Sequence, residues 1–247
     1  MVKLMGILNL TPDSYYEPSR YDMSIFDSGA DIIDIGACST RPGSIPVSEE
    51  EEWSRLEPVL RLVRERYPST TISIDSFRSG IVRRALEILD SFIVNDISSG
   101  NADPEMLPLV AGKGLKYIAM HNGGSLIGSD SGVEGDIVGD EKSFFKRFAG
   151  KAEKLGIDWI LDPGFGFGKT LDQNWELLHR LDELKDFGRE ILVSISRKRM
   201  ISERFNVETE SEECLIQTER ALVEAVERGA SILRVHDAVY FKAKFDF

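Results

Sequence analysis

The sequence predicts an α/β protein closed into a single (β/α)8 TIM barrel, on three observations. Eight short apolar runs recur along its 247 residues, at 4–9, 31–35, 71–75, 92–96, 116–121, 158–162, 190–195 and 231–236. Helical patterns fall between them. Almost every run ends in a side chain able to do chemistry. The runs are rich in Ile, Val and Leu with little alternation, as strands buried on both faces are. Eight such βα units favour a closed barrel over an open sheet.

The helices follow in order. A short one is expected at 21–28. Ser48 caps a helix that runs to about Tyr67, with Glu51 completing a capping box. Others fit 79–89, 103–111 and 142–155. Asp172 starts one with Trp175, Leu178 and Leu181 on one face. The segment 208–228 forms another, with Ala221, Val223 and Val226 toward the core. The eighth helix is expected to be short or absent, reduced to 240–247. No linker or repeat interrupts the pattern, so residues 1–247 are read as one domain. Residues 128–139 form a glycine- and acid-rich loop.

Composition narrows the function. Hydrophobic residues at 42% and charged residues at 29% are ordinary for a chain that buries its own core. Two cysteines, Cys38 and Cys214, imply no disulfide framework and point to a reducing, cytoplasmic setting. No apolar run is long enough to span a bilayer, and the first residues read as a strand, not a leader. A formal charge of −12 disfavours nucleic acid and anionic membranes as partners. Any anion must therefore bind a local cationic pocket. The candidates are Arg41, the run Arg197-Lys198-Arg199, and the pair Arg234 and His236.

The strand ends carry Asn9, Asp34, Asp75, Asn95 with Asp96, His121, Asp162, Ser196 with Arg197 and Lys198, and Arg234 with His236. In a parallel barrel these ends meet on one face, where active sites lie. Backbone capping explains a polar residue at any one strand end. It explains eight together poorly. No HExxH, GxSxG or Cys/His zinc spacing is present. The segment from Gly164 to Thr170 has three residues between Gly164 and Gly168 where a Walker A loop has four, so it reads as a loop that lets backbone approach a ligand.

These motifs resemble one family, the dihydropteroate synthases, which are pterin-binding barrels. Residues 5–14 (MGILNLTPDS) resemble its opening signature, and 29–36 (GADIIDIG) followed by 39–43 (STRPG) the second. Residues 72–75 (ISID), 94–97 (VNDI), 119–121 (AMH), 161–169 (LDPGFGFGK), 196–198 (SRK) and 234–237 (RVHD) follow in order. The resemblance implies a transferase of folate biosynthesis. It would displace pyrophosphate from 6-hydroxymethyl-7,8-dihydropterin pyrophosphate with the amine of p-aminobenzoate, using Mg2+. It further implies that Asp75, Asn95, Met120, Asp162 and Lys198 bind the pterin, and that Asn9, Thr40, Arg234 and His236 bind pyrophosphate. Tyr15, Arg41, Pro42, Phe167 and Lys198 would form the p-aminobenzoate slot, for which sulfonamides would compete. Asp75, Lys198, Arg234 and His236 would carry catalysis, and Asn9 would hold the metal, with Asp13 near it. Family likeness also implies a homodimer. A pterin-dependent methyltransferase and a non-catalytic pterin-binding paralogue are the alternatives. A barrel aldolase with Lys198 as Schiff-base amine is a third.

The chain departs from the family pattern at Ala37-Cys38, Glu17-Pro18, Ser194 and Arg199. The last bears on the p-aminobenzoate pocket.

Overall fold

A computed structural model describes residues 2–11, 21–39, 46–124 and 135–245. Among them, eight parallel strands form one sheet in the order β6-β5-β4-β3-β2-β1-β8-β7. They are β1 (Lys3–Asn9), β2 (Ile32–Gly36), β3 (Thr71–Asp75), β4 (Ile93–Asp96), β5 (Lys116–Met120), β6 (Trp159–Asp162), β7 (Leu192–Val193) and β8 (Ile232–Val235). The ring closes where Leu161 N–H donates to Glu190 O at 2.9 Å, beside a bridge between Leu161 and Ile191. All eight expected strands are present. The seventh is far shorter than its apolar run, because only Leu192 and Val193 reach ladder register with β8.

Around the sheet lie α1 (Glu49–Arg66), α2 (Ser79–Ala85), α3 (Met106–Lys113), α4 (Ile137–Leu155), α5 (Leu171–His179), α6 (Arg199–Phe205), α7 (Glu212–Glu227) and α8 (Ala238–Lys244). The segments Met23–Asp27 and Leu181–Phe187 are 3-10 helices. The eighth helix is short, as expected. Helix α6 and the second 3-10 helix were not legible as separate elements.

The caps explain several boundaries. Ser48 Oγ accepts from Glu51 N–H at 3.2 Å, but Glu51's carboxylate pairs with Arg55 at 3.0 Å. The side of the expected box that reaches back to Ser48 is thus spent along the helix. A reciprocal box forms instead at α5, where Thr170 and Gln173 exchange bonds of 3.2 and 3.0 Å. Ser211 caps α7, so that helix begins at Glu212 rather than 208. Its buried stripe is Cys214, Gln217, Thr218, Ala221, Leu222 and Ala225. Val223 turns outward and is 42% exposed, contrary to the sequence reading. One residue past Leu222, it lies about 100° around the helix from the core face.

Period-two alternation organises the barrel. Met5, Ile32, Ile93, Ile118, Ile160, Leu192 and Ile232, one from each strand but β3, form an apolar plug inside the ring. The residues between them, such as Ile33, Val94, Tyr117, Trp159 and Leu233, belong to the outer core beneath the helices. Two positions beyond the plug, toward the C-terminal mouth, stand Asp34, Asn95, Met120, Asp162, Ser194 and Arg234, with Ser73 paired to Asp34. The same step continues to Asn9 and His236. Parity therefore stacks a polar layer on the apolar plug.

Ile118→Ala is expected to lower the unfolding free energy by about 2–5 kcal/mol, because the plug cannot collapse around the hole. Val223→Ala is expected to change it by no more than about 0.5 kcal/mol. Urea unfolding of both variants checks the contrast, and equal losses would refute this division of core and surface.

Candidate active site

At the centre of the polar layer, Arg234 from β8 reaches across the ring. Its Nε donates to Asp34 Oδ2 at 2.7 Å and its Nη2 to Asp75 Oδ2 at 3.0 Å. Asn95 Nδ2 donates to the same Asp34 oxygen at 3.1 Å. Asp34 is fully buried, whereas Asp75 and Arg234 keep a little exposure toward the mouth. Burial and repulsion from Asp34 push the Asp75 carboxyl up to about 7, against the pull of Arg234. For Arg234, burial disfavours the charge, yet Asp34 and Asp75 outweigh it and hold the guanidinium above its ordinary value.

On the opposite side, Asp162 ends β6 and accepts from Gly164 N–H at 2.8 Å. Burial raises its carboxyl, while Lys198 and the Gly164 bond oppose the rise. Lys198 Nζ donates to Phe165 O at 2.7 Å and lies 5.0 Å above the Phe167 ring. Desolvation brings this amine down to about 7, helped by Arg234 and Lys169 and resisted by Asp162. Met120, buried and in register with Asp162, supplies an apolar surface beside the carboxylate. His236 Nδ1 sits 3.4 Å from Ser196 Oγ. Burial, then Arg234, Lys198 and Arg197, hold its imidazole down to about 3, so the ring is neutral near pH 7.

The structure thus brings Asp75, Asn95, Met120, Asp162, Lys198, Arg234 and His236 to one mouth, with Asn9 at the end of β1 on the same inner face. Phe167 joins them through Lys198. Thr40, Arg41, Pro42, Tyr15 and Asp13 lie outside the described residues.

Three expectations are corrected. Asp96 and His121 sit at odd steps from the plug and face the helices. Asp96 accepts from Tyr117 Oη at 2.6 Å, and His121 lies 2.9 Å from Asp140 of α4. Arg197 of the basic run is buried elsewhere. It pairs with Asp237 at 2.7 Å and donates to the carbonyls of Thr209 and Ser211. Arg199 runs along α6 to Glu203 at 2.8 Å. Within that run Lys198 reaches the mouth. Asp34 was read as a strand end but given no role. Its signal was available, since it stands two residues after Ile32 on the plug's own face.

Among the described residues, no group of three His, Cys, Asp or Glu side chains is placed to hold a metal ion. Asn9 offers one neutral oxygen. Such a sparse set fits a Mg2+ held mainly by phosphate oxygens and water.

The family model for pterin binding enzymes matches residues 5–236. The chain belongs to the pterin-binding enzyme family. Within it, the chain is 36% identical to the dihydropteroate synthase of Synechocystis sp. over 95% of its own length and 84% of the relative's. It is 39% identical to the folic acid synthesis protein fol1 of Pneumocystis carinii, covering 95% of this chain but 34% of that longer protein. In three dimensions it matches the dihydropteroate synthase of Thermus thermophilus in complex with 6HMPPP. That match has a TM-score of 0.83 at 35% identity, over 98% of this chain and 91% of the other. This pterin-binding family member carries the polar layer on the same kind of barrel.

Removing the cation from this layer should be costly. Arg234→Met leaves Asp34 buried without its cationic partner and is expected to lower stability by about 3–5 kcal/mol. Adding Asp34→Asn should recover much of the loss. A denaturation cycle over the two singles and the double measures the coupling, and strictly additive effects would refute the pairing.

Proposed function

We propose that the chain acts as a dihydropteroate synthase in folate biosynthesis, joining 6-hydroxymethyl-7,8-dihydropterin pyrophosphate to p-aminobenzoate. The observation that carries this reading is the inward polar layer. Asp162, Asn95 and Met120 share one level of the inner face, with Lys198 close enough to act on Asp162, beside the Asp34–Arg234–Asp75 cluster. The amino-pyrimidinone edge of a pterin presents two donors to one carboxylate, which Asp162 can accept. Asn95 and Lys198 then bind other ring positions. The Thermus relative, bound to 6HMPPP, supports the same substrate here.

The reaction breaks the bond between the pterin methylene and pyrophosphate, and the electron pair leaves with the phosphate oxygen. A bond from the arylamine nitrogen to the methylene replaces it, and the amine loses a proton. If departure runs ahead of attack, the methylene becomes cationic. Ionised Asp75 then stabilises it, and no strong base is needed for an amine that is already nucleophilic. Asn9, Thr40, Arg234 and His236 receive the leaving group. His236 does so as a neutral N–H donor, whose ring the arriving anion would draw toward protonation. Mg2+, when bound, would neutralise charge on the departing pyrophosphate, with Asn9 as its protein oxygen. Phe167 and Lys198, with Tyr15, Arg41 and Pro42, form the p-aminobenzoate slot.

No described helix is long and apolar enough to cross a membrane. A cytoplasmic enzyme that pairs through its late helices into a homodimer is the setting this reading implies.

Pyrophosphate release that requires both the pterin substrate and p-aminobenzoate tests the reaction. Release without the arylamine, or none at all, counts against it. Asp162→Asn is expected to cut kcat/KM by roughly 10- to 150-fold, the worth of about 1.5–3 kcal/mol in one charged hydrogen bond. The kcat/KM profile should be a narrow bell near pH 7. Below it Asp75, held up to about 7, takes a proton and loses the charge that stabilises the cation. Above it Lys198, held down to about 7, loses the proton with which it donates. The two limbs are macroscopic values of coupled groups. Asp75→Asn should flatten the acid limb and Lys198→Met the basic one, and a profile flat from pH 5 to 9 would refute both roles.

A further inference from the structure

A buried charged cluster lies behind the glycine loop that follows β6, and the chemistry above does not use it. At its centre Lys169 has no side-chain exposure, nor has its partner Glu141 of α4, 3.2 Å away. Lys169 Nζ also donates to the carbonyls of His121 at 3.2 Å, Gly164 at 3.1 Å and Phe167 at 3.3 Å. His121 completes the cluster, with Nδ1 2.7 Å from Glu141 and Nε2 2.9 Å from Asp140.

Two desolvated charges are a poor way to gain stability, since an apolar pair of the same volume usually does as well. What the pair supplies is a fixed loop. Gly164, Gly166 and Gly168 all take positive φ, at +65°, +82° and +56°. A Cβ on Gly164 would stand 1.9 Å from the His121 carbonyl oxygen, so the loop lies backbone on backbone against the end of β5. Without side chains there, the loop's back is held by the Lys169 ammonium. Its front holds the site. Gly164 N–H donates to Asp162 at 2.8 Å, Phe165 O accepts Lys198 at 2.7 Å, and the Phe167 ring lies under the same amine.

We propose that Lys169 is a positioning residue of the pterin site. Anchored on Glu141, it pins the carbonyls of Gly164 and Phe167, and the front of the loop then sets Asp162 and Lys198. This rests on the reading of the mouth as a pterin site. Lys169 itself touches no substrate.

The test uses the whole chain and calorimetric binding of 6-hydroxymethyl-7,8-dihydropterin pyrophosphate without p-aminobenzoate, beside the kcat/KM pH profile. Lys169→Met is combined with Glu141→Gln so that no carboxylate is left buried alone. The expected result is a fold intact by circular dichroism and a pterin Kd raised about tenfold or more, as small displacements of site groups produce. The basic limb should also move to lower pH. Loss of the Lys169 charge by itself would let the Lys198 amine rise and move the basic limb to higher pH, so the expected move to lower pH reports the lost Phe165 acceptor, which favours the charged form. A purely structural lysine would lower stability, leave the Kd in place and let that limb hold or rise. A folded double variant with unchanged Kd and a limb that does not fall overturns the proposal. Should the double variant not fold, E141Q decides. It keeps the lysine and removes its anchor, and an unchanged Kd and limb there overturn the proposal equally. Wild-type protein that binds the pterin substrate but releases no pyrophosphate with p-aminobenzoate refutes the reaction and leaves the Kd comparison standing.

Discussion

The structure depends on one cation placed between two carboxylates inside a closed ring of strands. Arg234 holds Asp34 at 2.7 Å and Asp75 at 3.0 Å. Without it, two acids would face each other above an apolar plug with little water to separate them. Desolvation of charge is expensive, and it is tolerated only where partner and geometry are both supplied. The barrel supplies them by crossing distance rather than sequence. β8 pairs with β1 and β1 with β2, so an arginine near the C-terminus meets an aspartate near the N-terminus. Fold and site are therefore one arrangement.

The same desolvation sets the chemistry. It lifts Asp75 to about 7, lowers Lys198 to about 7 and lowers His236 to about 3. Groups that would be fixed in charge in water become titratable near neutrality, or become neutral donors. Acid and amine stand close to their changeover at the same pH. Functional sites are where such shifts gather, and here they share one burial and one set of neighbours.

Much of this was legible in the sequence. Eight apolar runs ending in polar residues predicted the barrel, because buried parallel strands need hydrophobic residues throughout and the active face needs the opposite. Asp75, Asn95, Asp162, Lys198, Arg234 and His236 were each named from their strand ends. What was not legible came from direction. A strand end does not say which way its side chain points, so Asp96 and His121 looked like site residues and face the helices. Counting in twos from Ile32, Ile93 and Ile232 separates Asp34, Asn95 and Arg234 from them. Arg197 was lost to a different cause. Its backbone is left-handed, with φ of 53°, so a basic run of three sends its members three ways. The role of Lys169 could not be read at all, since its partners are backbone carbonyls and a glutamate on a helix far away in sequence.

The electrostatics reconcile an acidic chain with an anionic substrate. A net charge of −12 repels pyrophosphate at long range, but that field is screened within about 10 Å at moderate salt. Inside the mouth the balance is local. Arg234 stands between Asp34 and Asp75, and Lys198 against Asp162, so two cations face three carboxyl groups, one of which, Asp75, is close to its changeover. An arriving anion changes the terms for the groups nearest changeover. It favours the ammonium of Lys198 and protonation of His236, and it competes with Asp75 for Arg234. Positive potential is thus generated by binding rather than stored beforehand. A site built from paired groups near their changeover can stay buried and still shift its protonation toward the ligand that needs it.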